Sequence, residues 1–240
     1  VMGGCRFGAY AELAVADAGA LVPLPDVWSF AEGASMPVAY STAYAALIRY
    51  GSLHAGERVL IQAAAGGVGI AATQIAKLVG AELYGTASPA KHGALRSFGV
   101  DHPLDYRNLR GELRRITGDR QPLDLALDAL GGRSFRRSFS LLRPGGRLVC
   151  FGASEVQSGE RRHPLRALRT LAEMPRYSVL RLMSQSKSVI GLNMLTLWDS
   201  KQSLDEYIEP LSGWLEQGDI RPVVAATFPL EDGPAAHRYI

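Results

Sequence analysis

From Arg58 onward the chain alternates short apolar segments with longer segments of helical periodicity. Strands are predicted over the apolar segments 58–63, 82–87, 102–106, 123–130, 147–152 and 188–195. Helices are predicted between them at 68–78, 90–98, 109–116 and 134–142. Parallel strands need crossover connections of this kind, and such crossovers are right-handed. The pattern therefore predicts an α/β fold with a doubly wound, parallel six-stranded sheet and helices on both of its faces.

The segments on either side of this pattern are less regular. Residues 7–15 are rich in aromatic and apolar side chains and are predicted to form a strand. Ser29 and Glu32 have the spacing of a capping box, in which each side chain bonds the other residue's backbone amide, so a helix is predicted to begin there. The remaining predictions are a second helix at 38–50, an amphipathic helix at 204–215, a strand at 222–228 and a last helix from Leu230.

The composition is that of a globular protein. The 240 residues are 47% hydrophobic and 20% charged, and no apolar run reaches the length of about 18 residues that a transmembrane helix needs. The only cysteines, Cys5 and Cys150, form no CxxC pair, which favours a reducing compartment and predicts a cytoplasmic location. The net charge of +3 suits an anionic small ligand as well as nucleic acid, so it does not discriminate between them, and a nucleic-acid partner is not predicted.

A glycine-rich loop, Ala63-Ala64-Ala65-Gly66-Gly67-Val68-Gly69, follows the first predicted strand and leads into a predicted helix. This is the context of a Rossmann dinucleotide fingerprint, in which Gly66 lets a pyrophosphate approach the backbone and Gly69 lets the helix pack on the strand. Ala63 is small enough for the tight turn. The helix N-terminus would hold the phosphates. A structural turn and a methyltransferase loop are the alternatives, but the six-strand pattern favours a dinucleotide, with predicted contacts at Ala65, Gly66, Gly67, Val68 and Gly69.

The end of the second predicted strand indicates which dinucleotide binds. An NAD site typically has a carboxylate there, which binds the ribose hydroxyls. This chain instead has Ser88 and Lys91, which can donate a hydrogen bond and a charge to a 2′-phosphate, and Arg107 after the third strand could add to them. NADPH is therefore the predicted cofactor. The alternative for Lys91 is an exposed lysine at the start of a helix.

These segments, in this order, resemble the medium-chain dehydrogenase/reductase superfamily, and specifically its zinc-free, quinone oxidoreductase-like branch. The resemblance rests on AAAGGVGIAATQIAK (63–77), GTASPAKHGAL (85–95), LDALGG (127–132), LRPGGRLVCFG (142–152) and AHRY (236–239). The segment MSQSKSVIGLNML (183–195) is most similar to bacterial relatives of the synaptic vesicle membrane protein.

The resemblance implies how the chain is divided. FGAYAE (7–12) looks like the end of a GroES-like catalytic domain, so remnants of that β domain are expected at both chain ends. The expected domains are the end of the catalytic domain at 1–28, a nucleotide-binding Rossmann domain at 29–200 and a truncated return to the catalytic domain at 201–240. The chain is accordingly expected to be a fragment that lacks most of the N-terminal domain. Relatives usually pair sixth strands, so a homodimer is expected.

The resemblance also implies further cofactor contacts, carried over onto matching positions. They are Thr42 near the phosphates or nicotinamide, Tyr106 beside the adenosine, Phe151 and Gly152 beside the nicotinamide, and Leu192 and Asn193 as backbone contacts. Leu130 ends another strand at the same edge, where open α/β sheets bind ligands. The alternative for Tyr106, Leu192 and Asn193 is ordinary packing at strand ends.

Zinc is not expected, because the third catalytic zinc ligand of the superfamily's zinc members aligns with Val38, which cannot bind a metal. The five histidines also show no metal-binding spacing. Zinc-free relatives transfer hydride to quinones or activated C=C bonds, so a quinone or α,β-unsaturated carbonyl is the expected substrate. No catalytic residue is assigned. Tyr40 is the nearest candidate proton donor, with packing as the alternative role.

Two other functions are consistent with the sequence. One is the enoyl reductase unit of a polyketide synthase, whose cofactor segments are very similar. The other is a cofactor-binding protein that has a structural or membrane-surface role and little turnover, which only the basic segment 161–187 suggests. A solvated helical excursion is the simpler explanation of that segment.

Overall fold

A computed structural model describes residues 1–5, 7–152 and 172–239. Its contacts divide the chain into two compact units. One unit consists of residues 1–41 together with 194–240, and the other consists of residues 42–193. The predicted domain boundaries at 28 and 200 differ from these positions, and the domain assignment itself stays a prediction.

The second unit is built on a parallel sheet of six strands, as predicted. The strands are β3 Arg58–Ile61, β4 Glu82–Ala87, β5 His102–Asp105, β6 Leu123–Asp128, β7 Leu142–Cys150 and β8 Ser188–Gly191. Their order in the sheet is β5-β4-β3-β6-β7-β8, and every neighbouring pair is parallel. The direction in which strands are added reverses between β3 and β6, which is where ligands bind in open sheets of this class.

Helices cover both faces of the sheet because its central strands are apolar throughout. All six residues of β6 are buried, which is typical of a parallel strand that is covered on both sides. On one face, Leu60 and Tyr84 of the sheet pack with Leu113 and Phe139 of two helices in a single buried cluster. Among the described residues of this unit, the α-helices that follow β3 are α2 Gly67–Val79, α3 His92–Ser97, α4 Leu109–Thr117, α5 Gly132–Leu141 and α6 Val179–Gln185.

The other unit begins with a two-stranded antiparallel sheet and contains most of a long helix. Strand β1 (Met2–Gly3) pairs with β2 (Leu21–Val22), and α1 spans Phe30–Tyr44. The capping box is confirmed: the Ser29 amide donates to the Glu32 carboxylate at 2.8 Å, and the Glu32 amide donates to the Ser29 hydroxyl at 3.3 Å. The other α-helices described in this unit are α7 Met194–Lys201, α8 Asp205–Ile208, α9 Ser212–Gln217 and α10 Gly233–Tyr239.

Several secondary-structure predictions are wrong in this part of the chain. No strand forms at 7–15 or 222–228, because no described strand offers either segment a partner for its backbone hydrogen bonds. The two helices predicted around Pro37 are one helix, α1, which a π-helical turn at Ala45–Arg49 extends. The helix predicted at 204–215 is interrupted near Pro210, which has no amide hydrogen to continue the α-helical bonding.

The sixth strand and the basic segment also differ from expectation. Strand β8 ends at Gly191, and α7 begins three residues later. Lys187, counted among the basic surface residues, is 6% exposed, and its ammonium group donates to the Phe139 carbonyl. Residues 161–171 of that segment lie outside the described residues. Within the described part of the chain, no helix is long and apolar enough to cross a membrane.

Candidate cofactor site at the carboxyl edge of the sheet

Most of the predicted site residues lie at one edge of the sheet. In a parallel sheet the carboxyl ends of all strands meet at the same edge, and each of these residues directly follows a strand. The glycine loop follows β3, Ser88 follows β4, Tyr106 follows β5, Leu130 follows β6, Phe151 and Gly152 follow β7, and Leu192 and Asn193 follow β8. Thr42 does not follow a strand: it lies in α1 and is 5% exposed.

The glycine loop has the geometry that a phosphate needs. Gly66 is extended, with φ −85° and ψ 168°, and is the N-cap of α2, but it has no side chain to bond the first amides of the helix. Those amides have no partner within the helix and remain able to donate to an anion. A Cβ on Gly66 would be in ordinary contact, 3.4 Å from the Ala63 carbonyl oxygen, so the fold itself tolerates a side chain there.

Gly69 has the opposite constraint. A Cβ at Gly69 would lie 2.6 Å from the carbonyl oxygens of Ala63 and Ala64, a distance that real Cβ atoms do not reach. Glycine is therefore required here by the close packing of α2 on the turn that leaves β3. The two glycines have separate roles: Gly69 lets the helix form where it does, and Gly66 leaves the approach to its N-terminus open.

Ala63 occupies a conformation that normally selects glycine. Its φ is +52°, in the left-handed region, where an L-residue with a Cβ is disfavoured by roughly 1–2 kcal/mol. The turn is held by the Ala63 amide, which donates to the Thr86 hydroxyl at 3.1 Å, and by the Gly66 amide, which donates to the Ala63 carbonyl at 3.0 Å. The alanine is thus small enough for the turn, as predicted, but it is strained.

The two residues predicted to select NADPH are available for binding. The Ser88 hydroxyl and the Lys91 ammonium group have no hydrogen-bond or ion-pair partner among the described residues. Ser88 precedes a 3₁₀ turn, Pro89–Lys91, and Lys91 is exposed at its end. A hydroxyl donor and a free cation therefore lie together at the end of β4, and no carboxylate ends that strand.

An acidic residue nevertheless lies next to this position, and the sequence analysis missed it. Asp105 ends β5 and is the register neighbour of Ala87, the last residue of β4. The Arg107 guanidinium bonds both of its carboxylate oxygens, with Nε at 3.0 and 3.1 Å, and this hydrogen bonding lowers the pKa of Asp105. Arg107 is thus an internal counterion that neutralises Asp105, whereas the sequence predicts a direct contact with the cofactor.

A chain of buried hydrogen bonds connects the glycine loop to the helix that follows β6. The Thr86 hydroxyl, which accepts from the Ala63 amide, donates to the Gln62 side-chain oxygen at 2.7 Å. The Gln62 side-chain nitrogen donates to the Ser138 hydroxyl at 3.1 Å. Gln62, Thr86 and Ser138 are all buried.

The chain of hydrogen bonds ends at the buried carboxylate of Asp128. It accepts from the Ser138 and Ser134 hydroxyls, each at 2.7 Å, and from the Leu130 amide at 2.9 Å. The Asp128 carbonyl accepts from the Phe151 amide at 3.2 Å. Asp128 therefore positions the backbone of the loop after β6 and the first residue after β7, both of which the predicted site includes.

Burial raises the pKa of Asp128, and the hydrogen bonds from Ser138 and Ser134 oppose that rise. Sequence reasoning did not select this network. The usable signals were a polar Gln62 directly after an apolar strand and an aspartate that ends the otherwise apolar segment LDLALD. Neither signal shows which residue the side chain would bond, because the partners are distant in sequence: Gln62 and Ser138 are 76 residues apart.

The described residues supply no obvious acid–base or metal chemistry at this edge. No group of three or more histidine, cysteine, aspartate or glutamate side chains in the described ranges could hold a metal ion. Burial, with a contribution from the Asp128 charge, raises the pKa of the Cys150 thiol to about 12, which makes it a poor nucleophile. Tyr40 is 2% exposed, which favours the packing role over proton donation.

Comparison with known proteins identifies the family. A sequence model of the zinc-binding dehydrogenase family matches residues 67–211, more than half of the chain. The synaptic vesicle membrane protein VAT-1 homolog of Danio rerio is 34% identical over 237 residues, which cover 97% of this chain and 49% of that protein. The chain belongs to the medium-chain dehydrogenase/reductase superfamily.

Other members of the superfamily support a place in its quinone oxidoreductase-like branch. The quinone oxidoreductase from Thermus thermophilus, also solved in a complex with NADPH, has a TM-score of 0.80 and 32% identity, covering 99% of this chain and 71% of that one. The CurK enoyl reductase has a TM-score of 0.74 and 29% identity, covering 91% and 61%. The spectinabilin polyketide synthase system protein NorB of Streptomyces orinoci is 35% identical over 99% of this chain and 10% of that protein.

The chain thus spans about half the length of the VAT-1 homolog that it matches. The superfamily assignment, the branch and the parallel Rossmann sheet are confirmed, whereas the individual cofactor contacts stay predictions.

The two glycines of the loop should respond differently to alanine. Gly69→Ala is expected to lower the free energy of unfolding by about 1–3 kcal/mol, because the new Cβ overlaps backbone atoms. Gly66→Ala should change it by less than about 1 kcal/mol, but it should weaken NADPH binding. Urea unfolding and fluorescence titration with NADPH measure the two effects. Equal stability losses in both variants would contradict the division of roles.

The Asp128 carboxylate should have a measurable effect on stability. Asp128→Asn is expected to lower the free energy of unfolding by about 1–3 kcal/mol, because at least one of the groups that donate to the carboxylate then faces the NH₂ group of the asparagine side chain. Since the folded-state pKa is raised, this carboxyl contributes stability below its unfolded pKa of about 3.9 and loses that contribution as pH rises through the folded pKa.

Urea unfolding at a series of pH values tests this assignment. In the unmodified protein the titration of Asp128 should lower the free energy of unfolding as pH rises, and the Asp128→Asn variant should lack this decline. Ser134→Ala is the matched control, because it removes one donor but retains the titrating carboxyl, and it should keep that pH dependence. An unchanged profile in Asp128→Asn would assign the titration to another group.

Proposed function

We propose that this protein is a zinc-independent oxidoreductase that uses NADPH to transfer hydride to a quinone or an α,β-unsaturated carbonyl compound. The observation that carries the proposal is the edge of the sheet at β3 and β4. There, an N-cap without a side chain opens α2 to a phosphate, and the unpartnered Ser88 hydroxyl and Lys91 ammonium group lie, within the described structure, at the end of β4. The quinone oxidoreductase-like branch supplies the reaction class.

The described residues fit NADPH part by part. The amides at the start of α2 would hold the pyrophosphate, because Gly66 leaves their approach open. Ser88 and Lys91 would hold the 2′-phosphate, and Tyr106 would lie beside the adenosine. Phe151 and Gly152 would border the nicotinamide, with Leu130, Leu192 and Asn193 as neighbours at the same edge. Thr42 remains a proposed contact on the strength of the family resemblance.

When bound, the nicotinamide supplies the hydride, and the protein supplies position and electrostatics. Hydrogen bonds to Asp128 hold the loops after β6 and β7 in place. These loops would fix the orientation of the nicotinamide ring that lies against them. A conjugated acceptor takes hydride at one end and a proton at the other. The described residues contain no exposed, suitably perturbed acid at this edge, so water is the proposed proton source.

Zinc independence rests on the donor set. The description of the matching family names zinc, but Val38 occupies the position aligned with a catalytic zinc ligand, and no described cluster of side chains could hold a metal. Without a metal, the acceptor must already be electron-poor. This requirement favours quinones and activated C=C bonds over simple ketones.

A second candidate is the enoyl reductase unit of a polyketide synthase. It is favoured by the similarity to the CurK enoyl reductase and to the polyketide synthase protein NorB. The same site chemistry would serve an enoyl thioester, which is also an activated C=C bond. A membrane-surface role with little turnover has less support, because Lys187, one of the basic residues that suggested it, is buried.

The assembly and location remain part of the proposal. Strand β8 ends the sheet and has β7 as its single described neighbour, so its other edge is a surface through which a homodimer could form. Cys5 and Cys150 are free thiols, which suits a reducing compartment such as the cytoplasm.

Cofactor selection can be tested at two positions. Lys91→Ala should weaken NADPH binding about tenfold or more, through loss of a charge-assisted contact, and should leave NADH binding unchanged. Arg107→Ala should also weaken NADPH preferentially, because it exposes the Asp105 carboxylate beside the proposed 2′-phosphate position. Lys91→Arg keeps the charge and is the control. Fluorescence titration of each variant with both cofactors measures the dissociation constants, and equal losses for both cofactors would contradict NADPH selection.

The reaction class is tested by steady-state oxidation of NADPH with a panel of 1,4-quinones, α,β-unsaturated ketones, an enoyl thioester and simple ketones. Turnover is expected with the conjugated acceptors and not with simple ketones, and a chelator should not change it. Preferential turnover of the thioester would favour the enoyl reductase alternative. Loss of activity on chelation that added zinc restores would refute zinc independence.

A further inference from the structure

A second concave surface lies beside the sheet, away from the glycine loop. It has a volume of about 510 Å³ and lies between α4, the end of α5 and the loop that enters β6. Its polar lining includes Arg110 and Arg114 of α4, Arg120 and Gln121 of the loop, and Ser140 of α5. This set of residues is called the basic cleft below.

The basic cleft is separate from the proposed cofactor site. Its loop residues shortly precede Leu123, the first residue of β6, and Ser140 precedes β7 by two residues. The glycine loop and Ser88 follow the carboxyl ends of their strands. The six residues of β6 span roughly 20 Å, so a dinucleotide held at the carboxyl edge does not explain Arg120, which lies three residues before β6.

The three guanidinium groups of the basic cleft are not neutralised within the described structure. Arg110 donates to the Ser140 hydroxyl at 2.8 Å, and none of the three forms an ion pair with a described residue. One carboxylate, Asp119, also lines the cleft. Three positive charges and one negative charge leave the lining at +2, concentrated in a concave surface of small-molecule size.

The helix dipole favours Arg114, which lies in the last turn of α4, but it does not explain the position of Arg110. Arg110 lies in the first turn of α4, where the helix dipole disfavours a cation. Arg114 is four residues later, so the two like charges lie on the same face and repel each other. Arg115 lies beside Arg114 in the last turn of α4 but does not line the cleft.

Part of the lining is held in place before any ligand binds, because hydrogen bonds fix Arg110, Ser140 and Gln121. The Ser140 hydroxyl donates to the Arg137 carbonyl at 2.6 Å while accepting from Arg110, so that guanidinium has a fixed direction. The side-chain nitrogen of Gln121 donates to the Ser140 carbonyl at 3.3 Å, and the backbone amide of Gln121 donates to the Asp119 carboxylate at 3.0 Å. Immobilised donors reduce the entropy lost on binding.

We propose that the basic cleft binds a free small molecule that carries at least two phosphate groups. The planar fork of a guanidinium group matches two phosphate oxygens, and three such forks around one cavity exceed what a single phosphate can use. A concave site of this volume suits a soluble ligand better than the flat array of headgroups on a lipid surface. The proposal does not depend on the oxidoreductase function, because no cleft residue belongs to the proposed cofactor site.

The test is calorimetric titration of the protein with inorganic pyrophosphate at constant ionic strength. Arg114→Gln should weaken binding about tenfold or more, because a charge-assisted hydrogen bond is lost. Arg115→Gln, the adjacent arginine outside the cleft, should bind as the unmodified protein does. Arg120 lies outside α4. Arg120→Gln should therefore weaken pyrophosphate binding in the same way, even if the Arg114 variant folds poorly.

Three outcomes would overturn the proposal. If pyrophosphate binds to all variants with equal affinity, its binding site lies outside the basic cleft, for example at the glycine loop. Equal weakening in the Arg114 and Arg115 variants would indicate a general charge effect. Binding to phosphatidylserine vesicles without binding to pyrophosphate would make the arginines part of a membrane-docking surface. The affinity of the Arg114 and Arg120 variants for NADPH is measured as well. If it is unchanged, the loss of pyrophosphate binding in these variants is specific to the basic cleft.

Discussion

The hydrogen bonds that end at Asp128 hold together the part of the molecule that contains the proposed cofactor site. They connect the ends of β3, β4 and β6 with α5 through side chains that are almost fully buried. In a sheet core of this kind an unpaired polar group is costly, so each member of the network stabilises the others only while all bonds are made. The glycine loop and the loop after β6 are consequently held relative to each other by side chains as well as by the strands.

This network also explains how a strained turn persists. Ala63 adopts a left-handed conformation without being glycine, and its amide is fixed by the Thr86 hydroxyl. Strain of this size survives where surrounding contacts determine the backbone. Here those contacts belong to the neighbouring strand and to α5, so the conformation of the loop is a property of the assembled sheet.

Electrostatics at the β4 edge depend on a balance between neighbouring strands. Ser88 and Lys91 favour a 2′-phosphate, whereas Asp105 on β5 would disfavour it if its charge were not compensated. Arg107 provides that compensation at 2.9–3.1 Å. Cofactor preference would therefore depend on an ion pair as well as on the two groups that are proposed to contact the cofactor, and substitutions that weaken the pair would change specificity indirectly.

Local pattern determined much of this protein. The sequence predicts strand β4 with the bounds that it has, and the glycine loop, the capping box at Ser29 and the absence of a carboxylate at the end of β4 are all visible in short segments. These features depend on residues within a few positions of one another. Tertiary structure decided the rest, because it depends on partners far away along the chain. Segments 7–15 and 222–228 have strand-like composition but no described partner strand, Lys187 is buried against Phe139, and Gln62 meets Ser138 across 76 residues.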